Sequence, residues 1–247
     1  MKQENLTVNS VYLTFNGEQS KHGIGSPCVF LRLSGCPIRC YATTLGTLCD
    51  TPESLERKSG EVLSVDAIIE RVLTVAGDCR ILTLTGGDPL WNKPELLEGL
   101  LWHLFYHGFD VSVETSGVVE WERYRNLSSD KLSFVVDYKL PSCGDDIYRK
   151  NLFNKKPALS LSMTPDDTVK FVIYSEKEFY LALERYRQIF SRCAAKIAFG
   201  VYWDGELTTS RLVMLMKDHC ISDKVYLNVQ LHKIVYSEMF KTLPSNI

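Results

Sequence analysis

The sequence predicts an α/β fold in which a parallel sheet curves into a partial, open TIM-like β/α barrel. Short apolar segments alternate with amphipathic helices along the 247 residues, a pattern typical of parallel strands joined by right-handed crossovers. About six or seven such strands can be counted, fewer than the eight of a closed barrel. The chain is 45% hydrophobic and 23% charged. Its length suits one globular core, so we expect a single domain over residues 1–247.

The opening part of the chain predicts two strands and a loop that carries chemistry. Residues 8–15 alternate well enough for a first strand, and a glycine-bearing loop follows. Residues 28–33, CVFLRL, form the next strand. Strand alternation predicts that Arg32 projects into the barrel interior while Leu31 and Leu33 face outer helices. A cysteine-containing loop follows the carboxyl end of this strand, which is the chemical face of such barrels.

Later elements are marked by helix start signals and short apolar runs. Ser64 opens a helix, Pro94 begins another, and Ser175 with Glu178 forms a capping-box pattern for a third. Further helices are expected at about residues 120–125, at 208–220 and from about 231. The expected strands are ILTLT, DVSVE, SFVVDY, VKFVIY, KIAFGVY and VYLNV. Residues 51–63 and the stretch from 139 to about 167 lack clear periodicity and are expected to lack regular structure.

Composition and charge argue against several functional classes. The formal net charge is −2, and no run of five like charges marks a nucleic-acid or anionic-membrane surface. The sequence shows neither a long apolar run nor a signal-peptide pattern. We therefore expect a cytoplasmic protein with no nucleic-acid or membrane partner, whose eight cysteines remain thiols. Four of them lie in or beside apolar segments and are interpreted as structural: Cys28, Cys79, Cys193 and Cys220.

Three cysteines in the loop after the second strand, Cys36, Cys40 and Cys49, predict a shared metal site. Structural zinc sites normally have four Cys or His ligands, whereas a cubic iron–sulfur cluster with three thiolates leaves one iron open. Structural zinc and an unliganded buried trio remain the alternatives. Cys143 follows in a polar loop and could lie near the site, although a fourth thiolate would fill the open iron.

Polar residues and glycines at the predicted strand ends indicate a pocket beside these cysteines. Gly86 and Gly87 lack a Cβ and would let a ligand approach the backbone closely, although a plain strand-to-helix turn is the alternative. Glu114 and Lys139 end neighbouring strands on the same face. Arg32 would suit a carboxylate because a guanidinium can donate two parallel hydrogen bonds, whereas an interior ion pair is the alternative.

The surrounding residues resemble the 7-carboxy-7-deazaguanine synthase family, whose members belong to the radical S-adenosylmethionine (SAM) superfamily. The matching stretches are FNGEQ at 15–19, FLRLSGC at 30–36, CDT at 49–51, LTGGDP at 84–89, ETSG at 114–117, DYKLPS at 137–142 and QLHK at 230–233. The family usually has two residues between its second and third cysteines, whereas eight separate Cys40 from Cys49. Asn16 and Asp88 stand where Gln and Glu are common, and DYK replaces the more usual SPK.

The resemblance implies a set of binding residues. Cys36, Cys40 and Cys49 would bind a [4Fe-4S] cluster, and Thr51 would bind Mg2+. The implied SAM contacts are Leu48, Asp50, Gly86, Gly87, Asp88, Ser116, Asp137, Tyr138 and Lys139. The implied substrate contacts are Phe15, Asn16, Gly17, Glu18, Arg32, Thr85, Glu114, Gln230 and His232.

The resemblance also implies the radical SAM type of barrel and a carbon–nitrogen lyase. The expected reaction contracts the ring of 6-carboxy-5,6,7,8-tetrahydropterin to 7-carboxy-7-deazaguanine and releases ammonia, on the queuosine route of tRNA modification. A flavodoxin-like electron donor and a homodimer are expected. The alternatives are a radical SAM activase of a glycyl-radical protein, a metal-stabilised binding module without catalysis, and a degenerate family member that no longer binds SAM.

Overall fold

The computed structural model describes residues 5–40, 49–128, 130–203, 205–221 and 223–235. These residues form one nine-stranded sheet in the order β3-β1-β2-β4-β5-β6-β7-β8-β9. The strands are β1 (Leu6–Phe15), β2 (Pro27–Leu33), β3 (Glu61–Leu63), β4 (Ile81–Gly86), β5 (Asp110–Thr115), β6 (Leu132–Asp137), β7 (Thr168–Ile173), β8 (Lys196–Val201) and β9 (Val225–Leu227). From β2 to β9 all neighbouring pairs are parallel, whereas β1 pairs antiparallel with β2 and β3. The predicted open, mostly parallel α/β sheet is confirmed.

The helices lie largely where the sequence places them. They are α1 (Val65–Ala76), α2 (Pro94–Tyr106), α3 (Asp145–Lys150), α4 (Leu152–Lys155), α5 (Glu176–Arg185) and α6 (Thr209–Asp218). The hydroxyl of Ser64 accepts a hydrogen bond from the Ala67 N–H, and that of Ser175 accepts one from the Glu178 N–H. These contacts satisfy backbone donors of the first turn. The predicted starts of α1 and α5 are therefore confirmed.

Strand alternation separates the core from the pocket. Leu31 and Leu33 are fully buried in the main hydrophobic core, and Arg32 between them points to the opposite face of β2, as predicted. The central parallel strands are buried on both faces, as in other α/β proteins, because helices cover one side and the barrel interior lies on the other.

The loop between β1 and β2 covers the amino ends of the parallel strands. Lys21 of this loop forms an ion pair with Asp110 at the start of β5, with 2.7 Å between nitrogen and oxygen. The Lys196 ammonium, at the start of β8, donates a hydrogen bond to the Ser20 carbonyl at 3.0 Å. These contacts attach the loop to the barrel end opposite the cysteines. Ligands are therefore expected to enter at the carboxyl ends of the strands.

Two expectations about local structure were wrong. Residues 51–63 contain a 3-10 turn (Pro52–Ser54) and β3, which pairs with β1. The expected loop before β7 contains α3 and α4. The helix expected near residue 120 is present as a 3-10 helix (Glu122–Leu127). Isolated helices this short are unstable in water, so packing rather than sequence periodicity determines whether they form.

The C-terminal part of the chain is described only as far as residue 235. Residues 231–235 are helical, which agrees with the predicted helical tail, whereas residues 236–247 lie outside the described part. The predicted apolar contact surface at 234–240 therefore falls mostly outside it. In the described chain, no helix combines the length and apolar character needed to cross a membrane.

Candidate active site

A pocket of about 350 Å³ lies at the carboxyl ends of the parallel strands. Most of the residues predicted for the site line it, because β2, β4, β5 and β6 all end at this face. They are Phe15, Gly17, Glu18, Arg32, Cys36, Cys40, Cys49, Asp50, Thr51, Thr85, Gly86, Gly87, Glu114, Ser116, Asp137, Lys139, Gln230 and His232. Predicted Leu48 lies outside the described residues.

The cysteine loop rests on the glycine turn that ends β4. The Asp88 N–H donates a hydrogen bond to the Gly35 carbonyl at 2.9 Å. A Cβ on Gly87 would lie 2.5 Å from that same carbonyl oxygen and 2.7 Å from the Ser54 oxygen, and a Cβ on Gly86 would lie 1.8 Å from the Leu33 oxygen. Only glycine fits at such distances. The turn therefore fixes the backbone on both sides of the cysteine loop, at Gly35 and Ser54.

The thiols of the site differ in their proton affinity. Burial raises the pKa of Cys36 to about 12 and also raises the pKa of Cys49. A hydrogen bond with the Cys143 thiol lowers the pKa of Cys40 to about 7, and the Lys139 ammonium contributes in the same direction. Metal ligation requires thiolates. Cys40 is therefore the thiol that loses its proton most readily before metal binds.

Four cysteines lie together at one end of the pocket. Cys40, Cys49 and Cys143 pack against the small buried cluster that contains Cys36. A cubic cluster with one open iron needs three thiolates, each of which binds a different iron atom. Three pocket-lining cysteines therefore fit an iron–sulfur cluster.

Two distant sequence motifs meet on the far side of the pocket. The Gln230 amide donates a hydrogen bond to the Glu18 carboxylate at 2.8 Å, across 212 positions of sequence. His232 packs against Gly17 so closely that a Cβ there would lie 2.6 Å from its Nδ1. The Leu231 N–H also donates to the Gly17 carbonyl at 2.8 Å. The FNGEQ and QLHK segments thus form one wall, as the resemblance implies.

A buried lysine, Lys170, is the main site residue that the sequence reasoning missed. It lies on β7, where a lysine interrupts an otherwise apolar strand, and this interruption was the available signal. Its ammonium contacts the Glu18 carboxylate and lies 3.1 Å from an oxygen of Asp137. Burial alone would lower the pKa of Lys170, but Asp137, Glu18 and Glu114 hold it above its ordinary value. The lysine is therefore charged.

The charged side chains around the pocket differ in whether they have a partner of opposite charge. Burial alone would raise the pKa of Asp137, but the ammonium groups of Lys139 and Lys170 hold it below its ordinary value. Burial raises the pKa of Glu114, although Lys170 opposes this, and Glu114 accepts a hydrogen bond from Thr85 at 2.8 Å. Arg32 forms no ion pair with any described carboxylate, so its guanidinium can bind an anionic ligand group.

Three predicted contact residues direct their side chains elsewhere. Asp88 is buried beside the pocket and accepts hydrogen bonds from Thr115, Ser116 and the Leu90 N–H. Tyr138 follows the alternation of its strand and stacks on Phe171 in the core, with ring centroids 4.7 Å apart. The Asn16 amide donates to the carbonyls of Glu18 and Gly23 and to the Ser20 hydroxyl. These side chains therefore support the pocket walls instead of lining them.

Aromatic side chains supply the apolar part of the pocket. Tyr12 and Phe30 stack with ring centroids 5.7 Å apart, and both line the cavity with Tyr202 and Trp203. They were not predicted from the sequence, although Phe30 is two residues before Arg32 on β2 and therefore points to the same face of the strand.

Comparison with known proteins agrees with this geometry. A family model described as "4Fe-4S single cluster domain" matches residues 21–139. The 7-carboxy-7-deazaguanine synthase of Koribacter versatilis is 32% identical over 186 residues, which cover 74% of this chain and 71% of that protein. The chain belongs to the 7-carboxy-7-deazaguanine synthase family. This membership confirms the predicted resemblance.

Further relatives extend the match along the chain. The 7-carboxy-7-deazaguanine synthase of Leptospira interrogans is 29% identical over 245 residues, covering 94% of this chain and 96% of that protein. The crystal structure of QueE from Escherichia coli superposes with a TM-score of 0.64 at 20% identity, covering 92% of this chain and 94% of that one. The structural likeness supports the fold of this family member.

Proposed function

We propose that the protein is a 7-carboxy-7-deazaguanine synthase, a radical SAM carbon–nitrogen lyase. It would convert 6-carboxy-5,6,7,8-tetrahydropterin to 7-carboxy-7-deazaguanine with release of ammonia, on the route to queuosine in tRNA. One structural observation supports this function most directly. In a chain of this family, Cys36, Cys40 and Cys49 line the same pocket as the joined FNGEQ and QLHK segments.

The cofactor end of the pocket would lie at the cysteines. A [4Fe-4S] cluster together with SAM, when bound, supplies the electron and the 5'-deoxyadenosyl radical that start the reaction. Cys36, Cys40 and Cys49 would bind the cluster. The Gly86–Gly87 turn, which has no side chains, would let the methionine part of SAM approach the backbone, and Lys139 could donate hydrogen bonds to the SAM carboxylate.

The opposite end would bind the pterin. Arg32 can hold the pterin carboxylate through two parallel hydrogen bonds, and the Glu18 carboxylate can accept hydrogen bonds from ring N–H groups. Tyr12 and Phe30 provide apolar surface beside a flat ring. The relatives that the chain matches are synthases, which favours the synthase over an activase of a glycyl-radical protein.

Two titratable side chains that line the pocket, Glu114 and His232, are shifted towards their neutral forms. Burial raises the pKa of Glu114 and lowers the pKa of His232. A carboxyl group that keeps its proton can donate it, and a neutral imidazole can accept one. Lys139 and Lys170, whose pKa values lie above the ordinary value, instead act as permanent hydrogen-bond donors. We propose Glu114 and His232 as the groups that handle protons during ammonia release.

We further propose that Mg2+ binds at Thr51. The Thr51 hydroxyl lies on the pocket 3.4 Å from the Cys49 sulfur, and the Asp50 carboxylate lies 3.7 Å from the same sulfur. Mg2+ prefers oxygen ligands and completes its shell with water and substrate oxygens. A homodimer, a flavodoxin-like electron donor and a cytoplasmic location complete the proposal.

The experiment is a turnover assay on anaerobically reconstituted protein with SAM, Mg2+, dithionite and 6-carboxy-5,6,7,8-tetrahydropterin. Mass spectrometry would follow 7-carboxy-7-deazaguanine, with ammonia measured in parallel. We expect product from the wild type and from Cys193→Ala, which alters a cysteine outside the pocket, but none from Cys49→Ala. Absence of product from cluster-loaded protein that binds SAM would overturn the proposal. We expect activity to be lost when Mg2+ is removed and to be reduced in Thr51→Ala. Full activity in both cases would contradict the magnesium site.

A further inference from the structure

A chain of hydrogen bonds and ion pairs links side chains across the pocket. Gln230 donates to Glu18 at 2.8 Å, and Glu18 also accepts from Lys170. The Lys170 ammonium lies 3.1 Å from one oxygen of Asp137, and Lys139 donates to the other oxygen. Glu18 thus accepts from two donors, whereas Asp137 accepts from Lys139 and forms an ion pair with Lys170, which joins the two halves.

The two ends of this chain lie at different parts of the pocket. Lys139 is close enough to Cys40 and Cys143 for their charges to affect its pKa. Glu18 lies at the other end, on the wall formed by Gln230 and the segment containing His232. On the proposed function, on which this inference rests, the first end faces SAM and the second faces the pterin.

Lys170 contacts the carboxylate in each half of this chain, Glu18 and Asp137. It is the one described lysine or arginine that forms an ion pair with Glu18. Its side chain is 10% exposed, and its strand neighbours Val169 and Phe171 are fully buried. The ammonium has three donors to divide between its partners. When the Lys170–Glu18 contact weakens, the Lys170–Asp137 contact can therefore strengthen.

We propose that Lys170 is a positioning residue that couples the binding of SAM to the binding of the pterin. When the pterin donates hydrogen bonds to Glu18, the contact between Glu18 and Lys170 weakens, and Lys170 binds Asp137 more strongly. Asp137 then binds Lys139 less strongly, so the Lys139 ammonium can donate hydrogen bonds to the SAM carboxylate. Because coupling between two binding sites is reciprocal, SAM strengthens pterin binding by the same factor.

The test measures SAM affinity with and without the pterin, by anaerobic calorimetry on cluster-loaded protein. No reductant is added, so no turnover takes place and both ligands reach equilibrium. In the wild type, we expect the pterin to tighten SAM binding by about five- to tenfold. In Lys170→Met, which keeps the apolar stem and removes the charge, the ratio should fall to within about twofold of unity.

A second variant keeps the test informative if Lys170→Met fails to fold. Glu18→Gln retains the size of the side chain but removes the charge that holds Lys170, so it should also abolish the coupling. Lys170→Arg retains the cation and should preserve more of the coupling than Lys170→Met. A merely structural lysine would weaken both affinities on substitution while leaving their ratio unchanged.

The outcomes separate this inference from the proposed function. If wild-type protein binds both ligands without coupling, or if the ratio survives in Lys170→Met and Glu18→Gln, the inference is overturned while the proposed function stands. If cluster-loaded wild type does not bind the pterin at all, the proposed function itself fails, and the inference with it.

Discussion

The buried carboxylate of Asp88 accepts hydrogen bonds from both the backbone N–H and the hydroxyl of Ser116, at 3.0 and 2.5 Å. The same carboxylate accepts from the Thr115 hydroxyl and from the Leu90 N–H. Asp88 follows β4, whereas Thr115 and Ser116 lie at the end of β5. One side chain therefore fixes the distance between two strand ends that line the pocket.

We expect Asp88→Asn to lower the free energy of unfolding by about 1–3 kcal/mol. The amide nitrogen would face donors where an oxygen now accepts, and a buried polar group without a partner costs about this much. Chemical unfolding monitored by circular dichroism measures the change. Asp78→Asn makes the same substitution at an exposed position and should change stability by less than about 0.5 kcal/mol. Equal effects of the two variants would contradict this role for Asp88.

A second prediction concerns the glycine turn under the cysteine loop. Gly87→Ala should reduce the iron retained after reconstitution, because its Cβ would lie 2.5 Å from the Gly35 oxygen and displace the loop. Gly99→Ala is the matched control, since a Cβ there meets no atom within 4 Å. In the interior of α2 that control should stabilise the protein by about 0.5–1 kcal/mol. Iron analysis and thermal unfolding distinguish the two, and full iron retention in Gly87→Ala would contradict the prediction.

A third prediction separates cluster ligands from their neighbour. Cys49→Ser should lose the cluster, whereas Cys143→Ser should keep it, because we assign three thiolates to the cluster and treat Cys143 as a hydrogen-bond partner of Cys40. Iron and sulfide content and visible absorption after reconstitution are the measurements. Loss of the cluster in Cys143→Ser with retention in Cys49→Ser would show that the third ligand is misassigned.

A fourth prediction is an acid-dependent loss of stability through Asp137. Burial alone would raise the pKa of this carboxyl, but Lys139 and Lys170 hold it below its ordinary value. Its contribution to stability is therefore complete above the unfolded pKa of about 4 and is lost as the pH falls through the lower folded pKa. In metal-free protein, Asp137→Asn should show a shallower loss of stability on acidification than wild type. Urea unfolding at several pH values measures this, and identical slopes would contradict it.

The sequence predicted those parts of the fold and site that depend on local patterns. The alternation of Leu31, Arg32 and Leu33 indicates which residue faces the interior, and the hydroxyls of Ser64 and Ser175 mark the starts of helices. The strand ends at Thr85 and Glu114 were also identified. Each of these features follows from a few neighbouring residues.

The features that the sequence did not predict depend on contacts between distant segments. Lys170 receives its role from Glu18, 152 positions away. Glu178 was predicted to complete a capping box, but its carboxylate accepts hydrogen bonds from the Ser142 N–H and hydroxyl and from the Tyr174 N–H. Glu178 thereby fixes the loop that contains Cys143. Spacing along the chain could not reveal such pairings, because they arise only once the sheet has formed.

Electron paramagnetic resonance of the reduced, anaerobically reconstituted protein, recorded with and without SAM, tests the central claim most directly. The claim is that Cys36, Cys40 and Cys49 bind a cubic cluster whose fourth iron is open to SAM. We predict a cubic-cluster signal that shifts when SAM is added. Absence of a cluster from properly reconstituted protein, or a cluster signal that SAM leaves unchanged, would contradict the claim.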